Sequence, residues 1–82
     1  MAMRTWNHRI LAFDSPHGVY FEAQEVHYAD GVPRAYSVDK RIGGESIEDI
    51  LWTCDMIKKA CEKPILWGGD RFPQEYKPQE NG

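Results

Sequence analysis

Three histidines, two cysteines and a scatter of carboxylates are the residues of this 82-residue chain that could do chemistry. A zinc site needs three or four His, Cys or acidic ligands converging at close spacing. His8 and His27 fall on two neighbouring predicted strands, and a bulged register between those strands points them to opposite faces, while His17 lies in the intervening turn. Cys54 and Cys61 stand seven positions apart on one predicted helix. At 1.5 Å rise per residue that is about 10 Å, beyond the roughly 7 Å between Cα atoms that a disulfide tolerates. The two thiols are therefore expected reduced and buried, and no metal or other cofactor is expected.

Asp14, Ser15 and His17 have the residue types of a nucleophilic triad. Near neighbours in one tight turn do not reach nucleophile–base–orienter geometry, and turn chemistry already accounts for them. Glu22, Glu25 and Asp39 could converge as paired carboxylates for general acid–base work. Arg9 and Arg34 nearby explain them more cheaply as cross-strand charge pairs. Gly43-Gly44 precedes a helix start that could receive an anion, but Glu45 would repel phosphate there. No catalytic residue is assigned, and the chain reads as a non-enzyme.

The elements that would position these groups are legible from hydrophobic spacing. Trp6 to Phe13 alternates as a strand, and Asp14-Ser15-Pro16-His17-Gly18 is a turn. Val19 to Tyr28 is a second strand whose apolar parity slips, since Phe21 and Ala23 share one parity and Val26 and Tyr28 the other. One extra residue near Gln24-Glu25, a β-bulge, would restore a single apolar face. Asp30-Gly31 centres the next turn, and Arg34 to Ile42 forms a third strand. Gly43-Gly44-Glu45 ends it. Ser46 is the expected N-cap of a helix with Glu48 and Asp49 in its first turn. Ile47, Ile50, Leu51, Cys54, Ile57 and Cys61 form its apolar stripe, Lys58, Lys59 and Lys63 load its end, and Pro64 closes it.

These elements predict an α+β fold: a three-stranded antiparallel β-meander followed by one long amphipathic helix packed on one sheet face. Residues 1–67 would be the single domain and residues 68–82 a flexible tail. Ile65-Leu66-Trp67 is either a fourth strand or a packing anchor. The face under the helix would carry Trp6, His8, Ile10, Ala12, Phe21, Ala23, Val26, Tyr28, Tyr36 and Val38. The opposite face would hold Arg9, Leu11, Phe13, Tyr20 and Asp39. Leu11, Phe13 and Tyr20 are apolar for a face that should meet water, and Trp52 and Met56 lie beside the helix stripe rather than in it.

Three readings of this apolar surplus stay open: the C-terminal segment folds back over it, a partner or second copy covers it, or it is scattered exposure. Association surfaces on small domains often look like this. Arg9, Leu11, Phe13, Tyr20, Trp52 and Met56 are accordingly the candidate partner-binding residues.

Charge and targeting narrow the partner. Ten Lys and Arg against thirteen Asp and Glu give a net charge of −3, without the basic stripe of a phosphate-backbone binder. Arg4, Arg9, Arg34, Lys40 and Arg41 with Trp6, Tyr20 and Tyr36 could form a mixed nucleic-acid platform, but acids are interleaved among them. No apolar run approaches the roughly 20 residues of a membrane span, and the first residues lack a signal-peptide core. A cytoplasmic protein with a protein partner or a second copy, and neither membrane nor nucleic acid, is the expectation.

Trp6-Asn7-His8-Arg9-Ile10, Glu25-Val26-His27-Tyr28-Ala29-Asp30-Gly31-Val32-Pro33 and Gly44-Glu45-Ser46-Ile47-Glu48-Asp49-Ile50 resemble a family of short, uncharacterised bacterial and phage-type proteins. The likeness spans roughly residues 4 to 66 and implies a compact meander plus helix with no established activity. This chain departs from it with His8 and His27 in place of Tyr and a longer segment after Trp67. Strand order and Gly44 to Ile50 also resemble the HicB-type domain of antitoxins, although the Pro-Asp-Leu-Pro-Gly segment of that family is absent. That resemblance implies an inhibitor capping a toxin or nuclease. The primary expectation is a small non-enzymatic interaction module, an accessory or regulatory subunit, with a small carboxylate hydrolase as the remotest alternative.

Overall fold

The computed structural model describes residues 3–37 and 42–78. Strand β1 (Arg4–Ser15) turns at Pro16-His17 into β2 (Gly18–Ala29). Ser15 fixes that turn twice, accepting from the His17 N–H at 3.2 Å and donating to the Gly18 carbonyl at 2.8 Å. Strand β3 (Val32–Tyr36) comes after a two-residue turn in which Asp30 (φ 52°) and Gly31 (φ 80°) both occupy left-handed backbone. That is the geometry a tight hairpin demands and the reason an Asp-Gly pair sits there.

Helix α1 (Ile47–Ala60) begins where the sequence indicates. The Ser46 hydroxyl accepts from the Asp49 N–H at 3.2 Å, and the Asp49 carboxylate accepts from the Glu45 N–H at 3.0 Å. Two otherwise orphaned donors are thereby satisfied.

The chain beyond the helix overturns the three-stranded meander expected from the sequence. Leu66–Trp67 forms a strand, β4, that pairs parallel to β1 with Leu11 opposite Leu66 and Ala12 opposite Trp67. The sheet is thus four-stranded and mixed, in the order β3-β2-β1-β4. A two-residue strand cut off by Gly68-Gly69 has too short a pattern to announce a parallel pairing.

The sheet also curls into a half-barrel, bringing β3 toward the loop after β4. The Tyr36 hydroxyl accepts from the Gly69 N–H at 2.8 Å and so links the two ends. Residues 68–76, expected in a flexible tail, close this half-barrel. A 3-10 turn (Gly69–Arg71) delivers Phe72 against Tyr36, with ring centroids 4.9 Å apart. Leu66 bridges antiparallel to Glu75, and Tyr76 packs edge-on against both Trp67 and Phe21. Arg71 lies over the Trp67 ring at 3.5 Å and pairs with Asp14.

The core therefore lies on the other side of the sheet from the one expected. Pairing of β1 with β2 runs without a shift from Arg4–Ala29 to Ser15–Gly18, so the expected bulge at Gln24-Glu25 is absent. The irregularity lies instead between His27 and Tyr28, where β2 meets β3. Unbroken alternation puts Leu11, Phe13, Val26 and Tyr28 on one face. There Leu11, Val26 and Leu66 form the buried cluster, with Phe13, Tyr28, Tyr36 and Phe72 packed around it. Val38 and Asp39, expected on opposite faces, lie outside the described residues.

Gly68 shows how tightly the segment closes. A Cβ there would fall 2.2 Å from Cε1 of Phe13, so Gly68→Ala must push that ring out of the half-barrel. Overpacking of this kind costs about 1–3 kcal/mol. Thermal unfolding of G68A should show a clearly lowered midpoint, and a midpoint equal to wild type would mean that the segment does not sit on Phe13.

Candidate functional site: the flanks of helix α1

Helix α1 crosses the sheet face that carries Trp6, His8, Ala23 and Glu25, lining a cleft with them. Continuous register places His8 opposite Glu25 and His27 opposite Trp6, so His8 and His27 share a face, contrary to the sequence expectation. His27 instead meets Ser37, Nε2 to Oγ at 3.2 Å, and His8 stacks its edge on Trp6 at 5.6 Å between centroids. Among the described residues, no three His, Cys, Asp or Glu side chains gather as a metal site would require.

The helix rests on this face through a narrow line: Ile50, Thr53, Met56 and Ile57 are half-buried and Ala60 is wholly buried. The stripe expected to be core is not core. Ile47 is 71% exposed and Leu51 59% exposed, and Cys54 and Cys61 are free and exposed. These four residues recur at intervals of 4, 3 and 7 along one flank of the helix. The reason lies in the sheet. The half of this face beneath the helix offers His8, Glu25 and His27 rather than the Val26 and Tyr28 that a bulge would have brought there. A mostly polar floor gives the apolar stripe little to bury against, and the helix rotates it outward.

The sequence-selected residues separate accordingly. Leu11 is wholly buried, Phe13 is half-buried under the loop at Gly68, and Arg9 is tied down. Arg9 donates to the Tyr28 hydroxyl at 3.0 Å and to the Pro64 carbonyl at 2.6 Å, holding the helix exit against the sheet. Those three positions are covered by the chain itself. Tyr20 remains exposed but stacks on Phe13. Trp52 is exposed and Met56 half-buried, both on the opposite flank of α1 from Leu51 and close to the exposed Trp6. Sequence reasoning took Ile47, Leu51 and Cys54 for core residues. The signal was present in His8, Glu25 and His27, which strict alternation places on the face the helix was expected to bury.

The fold and this surface together define a small α+β protein, and among the described residues no helix is long and apolar enough to cross a membrane. Comparison with protein families, with curated proteins and with solved structures finds no match.

Proposed function

We propose that this chain is a small, non-enzymatic interaction module whose docking surface is the outer flank of α1, occupied by a second copy of the chain. The observation that supports it is the apolar strip Ile47, Leu51 and Cys54, left in water while, among the described residues, only five hydrophobic side chains are buried.

The strip suits a twofold pairing. An isologous interface brings each residue's surroundings against their own copy. Two α1 helices laid antiparallel about Cys54 set the acidic first turn, Glu48 and Asp49, beside the basic last turn, Lys58 and Lys59, of the second copy. A cytoplasmic setting belongs to the same reading, and two exposed, unbridged thiols suit a reducing compartment.

Cys54 supplies the test. In Cys61→Ala protein at dilute concentration, an added disulfide-exchange oxidant should link Cys54 to Cys54 of the second copy. Each thiol gives up its proton, and the oxidant's disulfide is reduced as the new bond forms. Rapid appearance of a covalent dimer is the expected result. Linkage no faster than that of a cysteine placed at the exposed position Glu75 would contradict the pairing.

A further inference from the structure

Trp6 is the meeting point of three open clefts, and two of them differ in electrostatics from the whole chain. One, of about 420 Å³, runs along the end of the sheet past Arg4, His27 and Arg34. The other, of about 360 Å³, runs between the sheet and α1 past Trp52, Met56, Lys59 and Lys63. Among the described residues no carboxylate lines either cleft, although the chain as a whole carries a net charge of −3. Glu22 and Glu25 line a third cleft, which shares Trp6 with both and Trp52 with the second. Arg4, Arg34, Lys59 and Lys63 are all exposed and make no ion pair among the described residues. Trp6 is 47% and Trp52 53% exposed.

Unpaired cations on either side of two exposed indoles match the requirements of a single nucleic-acid strand: backbone phosphates take the cations and unstacked bases take the aromatic faces. Trp6 is braced for this, because the His8 ring packs against it at 73°. Trp52, Lys59 and Lys63 lie on the flank of α1 away from Ile47, Leu51 and Cys54, so this surface and the strip can be occupied together. We propose that the paired clefts about Trp6 bind single-stranded nucleic acid without sequence reading, with Arg4, Arg34, Lys59 and Lys63 on the backbone and Trp6 and Trp52 under bases. This goes beyond the self-association reading and stands or falls apart from it.

The probe is a labelled twelve-residue oligothymidylate, titrated against the intact protein at low salt with tryptophan fluorescence as a second readout. Binding with quenched fluorescence is expected. The affinity should fall with salt along a log–log slope of about −2.8, from four phosphate contacts at about 0.7 each on a single strand. Trp6→Leu should weaken binding on the order of ten- to a hundredfold, the scale of one lost stack. Because Trp6→Leu can disturb the sheet, Lys59→Gln and Lys63→Gln are the second arm. Both side chains are exposed and unpaired, and each substitution should reduce the slope by about 0.7 with unchanged circular dichroism.

Free thymidine monophosphate should compete only weakly, since it fills one position of an extended site. The proposal is overturned if the oligonucleotide does not bind. It is equally overturned if inorganic polyphosphate or polyglutamate binds as tightly, which would assign the clefts to anions in general or to acidic protein, or if the two lysine variants leave the slope unchanged.

Discussion

Leu11→Ala should destabilise the chain by about 3–5 kcal/mol, whereas Leu51→Ala, measured at concentrations where the chain is monomeric, should cost less than about 0.5 kcal/mol. Leu11 is fully enclosed between Val26 and Leu66, so truncating it leaves a cavity that a curled sheet cannot collapse around. A chain of this size has only about 4–12 kcal/mol of stability in total. Its buried apolar set is Leu11, Ala12, Val26, Ala60 and Leu66 among the described residues, so one such loss removes a large share of what holds the native state. Leu51 is 59% exposed and leaves no comparable hole. The three-stranded architecture predicts the reverse order, with Leu51 in the core and Leu11 on the free face. Urea unfolding of the two variants therefore decides between the two packings by the order of their midpoints.

The second large effect concerns association. Leu51→Glu places a charge in the middle of the exposed strip, four residues from Ile47 and three from Cys54. A central apolar anchor carries about 2 kcal/mol or more of binding, so the substitution should raise the dissociation constant of the pair at least about thirtyfold. Because Leu51 touches little of its own chain, the monomer should keep its circular dichroism. Loss of pairing with an intact fold is the expected combination. An unchanged dissociation constant would remove Leu51 from the interface.

Much of the local structure was legible in the sequence because it rests on local chemistry. Ser46 caps the helix, Asp30-Gly31 turns the hairpin and Pro64 lies past the helix end as their side chains dictate. The assembly of these pieces was not legible, and the point of failure is the slip of parity between Ala23 and Val26. A slip has two physical explanations: an extra residue that keeps one apolar face, or a strand apolar on one face in its first half and on the other in its second. The curled sheet uses the second, with Phe21 and Ala23 facing one side and Val26 and Tyr28 the other.

The misplaced core and the misplaced helix stripe stem from that choice. Leu11 and Phe13 pass into the interior, and the helix stripe, deprived of its floor, turns to solvent. The C-terminal segment, which reads as a tail because of Pro73, Pro78 and its polar composition, supplies Phe72 to cover the half-barrel. Its anchors act at long range, Gly69 to Tyr36 and Arg71 to Asp14, so no local pattern could reveal them. A net charge of −3 does not report its distribution: Arg4, Arg34, Lys59 and Lys63 line two clefts about Trp6, while Glu22 and Glu25 line a third that Trp6 and Trp52 share.

Coverage of the outer flank of α1 by a second copy is the property on which the proposed function turns. Sedimentation equilibrium of the full chain over a micromolar concentration range measures it without any modification of the protein. A mass approaching twice the 9.5 kDa of the chain is expected, returning toward the monomer in Leu51→Glu protein. A wild-type mass that stays at the monomer value throughout the range would contradict it.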